Sequence, residues 1–191
     1  MTRRIAGVLL LLAGVTYLVT ETIAASAFPD YSYATNYISD LGVSACPTVY
    51  SGREICSPLW GVMSAGFITQ GALYIAAAVL WRPNRVFLAF ALLYGAGSII
   101  VGFFNETLGT IHVVGATLAI VFGNLASIAT RRIPLVVLGA VGLIGAVLLQ
   151  ATDVAPDGIL ERVAVYAITA AQFVLGILLL RATFRPAPKV V

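Results

Sequence analysis

Charge is what this sequence lacks most. Asp, Glu, Lys and Arg make up 10% of its 191 residues, where a soluble domain carries about 25%. So few charges cannot cover a water-facing surface, which excludes a soluble globular fold. Histidine is nearly missing: His112 is the only one, and that excludes a His-x-x-x-His zinc pair. Cysteine is confined to Cys46 and Cys56, with no third or fourth ligand at zinc spacing beside them. No linker, low-complexity tract or soluble insertion interrupts the chain. Sustained period-2 alternation is absent too, which excludes membrane-spanning strands.

Long apolar runs are what is there. Apolar residues make up 60% of the chain and the mean hydropathy is +1.00. Runs fall at about 5–25, 60–80, 86–104, 110–130, 133–150 and 161–181, the last with Gln172 as its strongly polar member. Crossing a ~30 Å hydrocarbon core takes roughly 20 residues at 1.5 Å rise. The runs predict an all-α polytopic membrane protein, residues 1–191 forming one domain of six transmembrane helices. The start, "MTRRIAGVLLLLAG" followed by "AASAFPD", has the outline of a signal peptide. Its apolar stretch exceeds the usual signal h-region, so it is read as the first span.

Arginine placement sets the expected orientation. Arg3, Arg4, Arg82, Arg85, Arg131, Arg132, Arg181, Arg185 and Lys189 fall at alternate span ends. The positive-inside rule makes those ends, and both termini, cytoplasmic in a multi-pass cell-membrane protein. The basic pI of about 9.1 follows from this bias and not from a nucleic-acid partner. All eight acids then lie outside: Glu21, Asp30, Asp40, Glu54, Glu106, Asp153, Asp157 and Glu161. Only Arg53 and Arg162 oppose them, so eight acids less two arginines leave six excess negative charges.

The inner connections "WRPNR" and "TRR" are short, which forces neighbouring spans to be antiparallel and adjacent. The outer loop, 26–59, is long. Loops of that length are commonly functional or disordered. Tyr31, Tyr33, Tyr37 and Tyr50 argue for order and suit the interfacial layer. Outside the membrane, oxidising conditions favour a Cys46–Cys56 disulfide, with two free thiols as the alternative. Gly139, Gly142 and Gly145 recur at three-residue spacing and read as helix packing.

The polar candidates share one layer near the outer interface. Glu21 lies inside an apolar run, where a carboxylate needs a partner, and Arg162 is the cation at its depth. His112 is the natural proton carrier. Asp157 can cap the sixth helix and Glu161 suits its first turn. Arg162 opposes the helix dipole there, so acids, Tyr166 or an anionic headgroup must offset it. His112, Glu21, Asp40 and Glu161 are therefore the catalytic candidates. Asn36, Ser39, Asn105, Glu106, Arg162 and Tyr166 are the ligand-binding ones. Ser39, His112 and Asp40 supply triad residue types but without a nucleophile-elbow pattern. No cofactor is predicted, though the acids leave a divalent cation open. Asn105-Glu106-Thr107 matches a glycosylation sequon but hugs the membrane on a short loop. Asn124 lies about 18 Å below His112 at helical rise and reads as a packing residue.

The order of these residues resembles the six-span membrane family catalogued as domain of unknown function 998. The resemblance covers nearly the whole chain. It rests on Glu21, then "FPDYSYATNYISDLG", "GFFNE", "IHVVGATLAIVFGNLA" and "GILERVAVY". The "NYISDLG" block is its most specific part. Asn105 stands where the family often has proline, and the cysteine pair looks like a local addition. The resemblance implies a six-helix membrane fold and supplies no reaction.

Three functional readings follow. The first is a lipid-binding or lipid-handling module, with Arg162 for a headgroup and "YATNYISDLG" as a lid over the pocket. The second is an enzyme on a lipid-linked substrate with His112 as acid/base. The third is a proton-coupled transporter, disfavoured because no span is broken mid-membrane by proline or a polar unwound segment. Membrane lipids are the expected partners, with a membrane-protein partner or homo-oligomer left open.

Overall fold

The computed structural model describes residues 1–152 and 154–181. Asp153, expected at the outer surface, and Arg185 and Lys189, expected at the inner one, lie outside the described residues. Six helices carry the fold: α1 Thr2–Ala27, α2 Trp60–Leu80, α3 Arg85–Phe103, α4 Thr110–Ala129, α5 Ile133–Ala151 and α6 Asp157–Arg181. All six are long and apolar enough to cross a membrane. Helix α1 begins three residues before the predicted run and α6 four before its own, at Thr2 and Asp157. Polar first turns continue a helix beyond the point where hydropathy falls, so apolar runs understate helix length.

Each helix packs against its sequence neighbours, and α1 packs against α6, closing a ring. Lipid offers no hydrophobic drive between helices, so close approach must come from small residues and buried hydrogen bonds. At the closing seam, a Cβ on Gly7 would stand 2.9 Å from the Gly176 carbonyl. Along α5, Gly139 lies against the Asn124 backbone, Gly142 against its side chain and Gly145 against Val163 and Ala164 of α6. Asn124 reaches on: its Nδ2 donates to the Ala164 carbonyl at 3.0 Å. This asparagine pins α4, α5 and α6 together at mid-depth, the packing role that its position suggested.

Two apolar clusters fill the ring. One, around Leu10, Phe87, Leu135 and Leu179, sits towards the arginine-bearing end. The other, around Tyr17, Phe28, Ile38, Leu41 and Met63, sits under the long loop. Outward-facing side chains such as Val8, Val15, Val113, Val137 and Val147 are apolar and exposed, as a lipid-facing surface requires.

The long loop is ordered by its own contacts. Residues Ser39–Gly42 form a single 3-10 turn. Two short strands, β1 Thr48–Tyr50 and β2 Arg53–Ile55, pair antiparallel with Tyr50 opposite Arg53. Ser51 and Gly52 join them with φ of 49° and 76°. Two positive-φ residues make the tight primed turn that matches strand twist. A Cys46–Cys56 disulfide closes the base of this hairpin.

Candidate functional site

The loop is fastened to α6 by main-chain carbonyls. Arg162 donates from Nη1 to the carbonyls of Tyr33 and Asn36, each at 2.8 Å, and to that of Gly158 at 3.0 Å. Its Nη2 donates to the Tyr31 hydroxyl and pairs with Glu21 at 3.3 Å. Tyr166 donates its hydroxyl to Glu21 at 3.0 Å. Gly158 is required here because a Cβ would lie 2.5 Å from the Asn36 carbonyl oxygen. Glu161 accepts from the Ile38 N–H, and Tyr37 donates its hydroxyl to Asp157 at 2.6 Å. Asp157, in the first turn of α6, therefore helps to hold the loop.

This changes the role expected for Arg162. Both of its terminal nitrogens are engaged, and its Nε is buried without a partner among the described residues. An arginine so enclosed orders the loop and offers no free fork to a lipid phosphate. Its unfavourable position at a helix N-terminus is offset by Glu21 and by the loop carbonyls.

A second cluster lies across the loop, around Arg53. Arg53 Nη2 donates to Asp40 Oδ1 at 2.9 Å and to Glu106 Oε2 at 3.2 Å. Ser39 donates its hydroxyl to Glu106 Oε2 at 2.9 Å. Asn36 donates to Asp40 at 3.0 Å, and the guanidinium lies over the Tyr37 ring at 4.4 Å. Two buried carboxyls this close cannot both ionise cheaply. Burial, then the neighbouring Asp40 carboxylate, push Glu106 up to about 8. Burial also raises Asp40, but hydrogen bonds with Glu106, Arg53 and Asn36 outweigh it and hold Asp40 below the ordinary aspartate range. Near neutral pH, Asp40 is thus the anion and Glu106 carries the proton.

This cluster faces a vestibule. About 480 Å³ of it is open to the centre of a water molecule. Its polar floor is Ser39, Arg53, Glu106, His112 and Glu161, under Tyr37 and Tyr50. Its walls are Val113, Ala116, Thr117, Ile120 and Val121 of α4 and Ala146, Leu149 and Gln150 of α5, apolar except for Thr117 and Gln150. The two helices are close where Gly139 and Gly142 meet Asn124, and the vestibule lies between them towards the loop end. A narrower cavity of about 50 Å³ on the same measure lies deeper, bounded by Tyr17, Gln70, Tyr94, Ser98, His112 and Glu161. Ser39, His112 and Glu161 line both spaces.

His112 has a defined tautomer. Its Nδ1 lies 2.7 Å from the Phe104 carbonyl oxygen. A carbonyl only accepts, so Nδ1 carries a proton and Nε2 is left as an acceptor in the neutral ring. Among the described residues, Nε2 has no protein partner although the residue is 7% exposed.

The expected site residues therefore divide. Ser39, Glu106, His112 and Glu161 line the vestibule, and Asp40 supports it through Arg53. Glu21, Arg162 and Tyr166 form the clasp, and none of the three is among the residues bounding either space. Asn36 braces the loop, accepting from Ser32 N–H at 3.0 Å. Asn105 caps a one-turn helix by accepting from Thr107 N–H at 3.1 Å and donates to the Ser44 hydroxyl at 3.4 Å. The acids do not gather around a cation: among the described residues, no group of three His, Cys, Asp or Glu side chains could hold a metal. Arg53 was missed as a site residue. Its signal was "YSGRE", a tight hairpin turn that delivers one arginine.

Comparison with known proteins adds the family and no chemistry. The family described as "Protein of unknown function (DUF998)" matches residues 11–178. No curated protein and no solved structure matches the chain. The match spans the clasp, the vestibule and all or most of every helix, and the chain belongs to the DUF998 family.

Proposed function

We propose that this protein binds a single membrane lipid, headgroup in the vestibule and one acyl chain along the α4–α5 wall, with the loop end extracytoplasmic. The observation that carries this is the vestibule's two-part lining. Walls from two apolar helices, interrupted only by Thr117 and Gln150 among the described residues, run up to a floor of Ser39, Arg53, Glu106, His112 and Glu161. Sites that hold small molecules have this form, mostly apolar with a few convergent polar groups. Arg53 replaces Arg162 as the headgroup cation. Its side chain is 24% exposed, and Nη1 has no protein partner among the described residues.

The test is native mass spectrometry of gently extracted protein. Wild type is expected to retain one lipid, and Ala116→Trp, which fills the wall, to lose it. Absence of lipid from wild type, or equal retention by the variant, rejects the reading.

A second reading is favoured by one observation. His112 Nε2 has no protein partner among the described residues and opens on the vestibule that Ser39 and Glu106 also line, which supports acid/base chemistry on a lipid-linked substrate. Turnover of an ester-linked lipid by wild type and not by His112→Gln would favour it over simple binding. A proton-coupled transporter has no comparable support at the arginine-bearing end.

A further inference from the structure

We propose that the vestibule is selective for a lipid whose headgroup carries a primary amine beside its phosphate, an aminophospholipid. The inference rests on the lipid-binding reading and names the ligand class for the same site.

Several hydrogen-bonding atoms facing the vestibule are unused. Glu161 is 8% exposed, and one of its carboxylate oxygens is taken by the Ile38 N–H. The other, Oε1, has no protein partner among the described residues. His112, 7% exposed, presents Nε2 as a second unpartnered acceptor because Nδ1–H is held by the Phe104 carbonyl. Glu106 Oε1 is met by Arg53 Nη2 at 3.3 Å and becomes an ionised acceptor once Glu106 loses its proton. Tyr50, Ser51, Thr117 and Gln150 also line the vestibule and bring neutral donors; the one cationic donor left free there among the described residues is Arg53 Nη1. Acceptors that a bound ligand cuts off from water are costly if left unpaired, so the matching ligand brings several N–H or O–H donors. Two of the acceptors are carboxyl oxygens, so a cationic donor matches better than a neutral one. A primary ammonium has three N–H donors, and the phosphate one ester link away suits Arg53. Choline offers the same charge with no N–H. Glycerol offers hydroxyls with no cation.

The protonation of Glu106 makes the selectivity pH-dependent. Among the described residues, the charged and titratable groups that face Glu106 or share its vestibule are Asp40, Tyr37, Tyr50 and Arg53 of the loop, His112 of α4 and Glu161 of α6. With Glu106 neutral up to about pH 8, an arriving ammonium must expel its proton. Binding therefore strengthens as pH rises and the proton is lost more readily.

The experiment uses the full chain in nanodiscs of equal phosphatidylethanolamine, phosphatidylcholine and phosphatidylglycerol with identical acyl chains, followed by native mass spectrometry. Retention of phosphatidylethanolamine over both others is expected. Its apparent affinity should rise on the order of tenfold between pH 6.5 and 8.5, and Glu106→Gln should flatten that rise. The wild-type pH series stands by itself if the variant folds poorly. Equal retention of phosphatidylcholine, or preference for phosphatidylglycerol, overturns the amine assignment and leaves lipid binding standing. Retention of no lipid overturns both. A pH-independent affinity in wild type overturns the role of Glu106.

Discussion

Glu21 of α1 and Arg162 of α6 pair at 3.3 Å, with side chains 2% and 8% exposed. The pair joins the ring's closing seam to the loop, because the same guanidinium holds the Tyr33 and Asn36 carbonyls. Removing one member of a buried pair strands the other charge, at a cost of about 3–5 kcal/mol. Arg162→Ala is expected to lower thermal stability in detergent by that order and to make the loop susceptible to protease. Glu21→Gln, which still accepts from Tyr166, should cost less. An Arg162→Ala protein as stable as wild type would show that the clasp does not hold the loop.

Gly158 tests the clasp without touching charge. A methyl group there would meet the Asn36 carbonyl oxygen at 2.5 Å and the Ala34 one at 2.7 Å. Both are backbone atoms that cannot rotate away. Overpacking of this kind costs about 1–3 kcal/mol. Gly158→Ala should therefore speed proteolysis of the loop while leaving helix content by circular dichroism unchanged. Unaltered cleavage would mean that the loop rides higher over α6 than described.

The hairpin depends on its covalent tie. Cys46 and Cys56 close a short loop, and such a link stabilises by roughly 2–3 kcal/mol in the chain-entropy model. The two strands offer only three residues each, too little to hold a hairpin alone. Cys46→Ser with Cys56→Ser should release β1 and β2, and with them Arg53, while α1 to α6 stay folded. The check is hydrogen exchange: faster exchange across 46–56 with the helices unchanged is expected, and uniform protection would contradict it.

How far the sequence was legible follows from what each residue's position depends on. Hydropathy measures what a helix meets in lipid, so the six spans were readable from composition alone. Depth was readable too: Glu21 and Arg162 fall in one layer because helical rise converts sequence offset into height. Rotation about the bundle was not. Glu106 and Glu21 share that layer, yet one faces Arg53 and the other Arg162. Only the ring order and the hairpin decide that. Asn105 has a local role that the sequence reading did not give it: its Oδ1 accepts from the Thr107 N–H two residues on. Asparagine does this commonly, and it needs no ligand to explain it.

Glu106 gives the protein a pH-dependent stability with a definite sign. Its carboxyl sits at about 8 in the fold against an ordinary value of 4.5. Between those values the folded state holds a proton that the unfolded chain has lost, so stability falls as pH rises through the window. The contribution is complete below about pH 4.5 and gone above about 8, and it amounts to a few kcal/mol at most. Asp40 acts in the opposite sense, but its folded value lies below the usual aspartate range. Its effect is therefore confined to acid conditions. Thermal unfolding midpoints should decline from pH 5 to pH 8.5 in wild type. Glu106→Gln keeps the acceptor for Ser39 and cannot ionise, so its midpoints should be flatter and should exceed wild type at the alkaline end. An infrared carboxylic-acid band at pH 7 that disappears in the variant would locate the proton directly. A wild-type midpoint that climbs through this range would place the proton elsewhere.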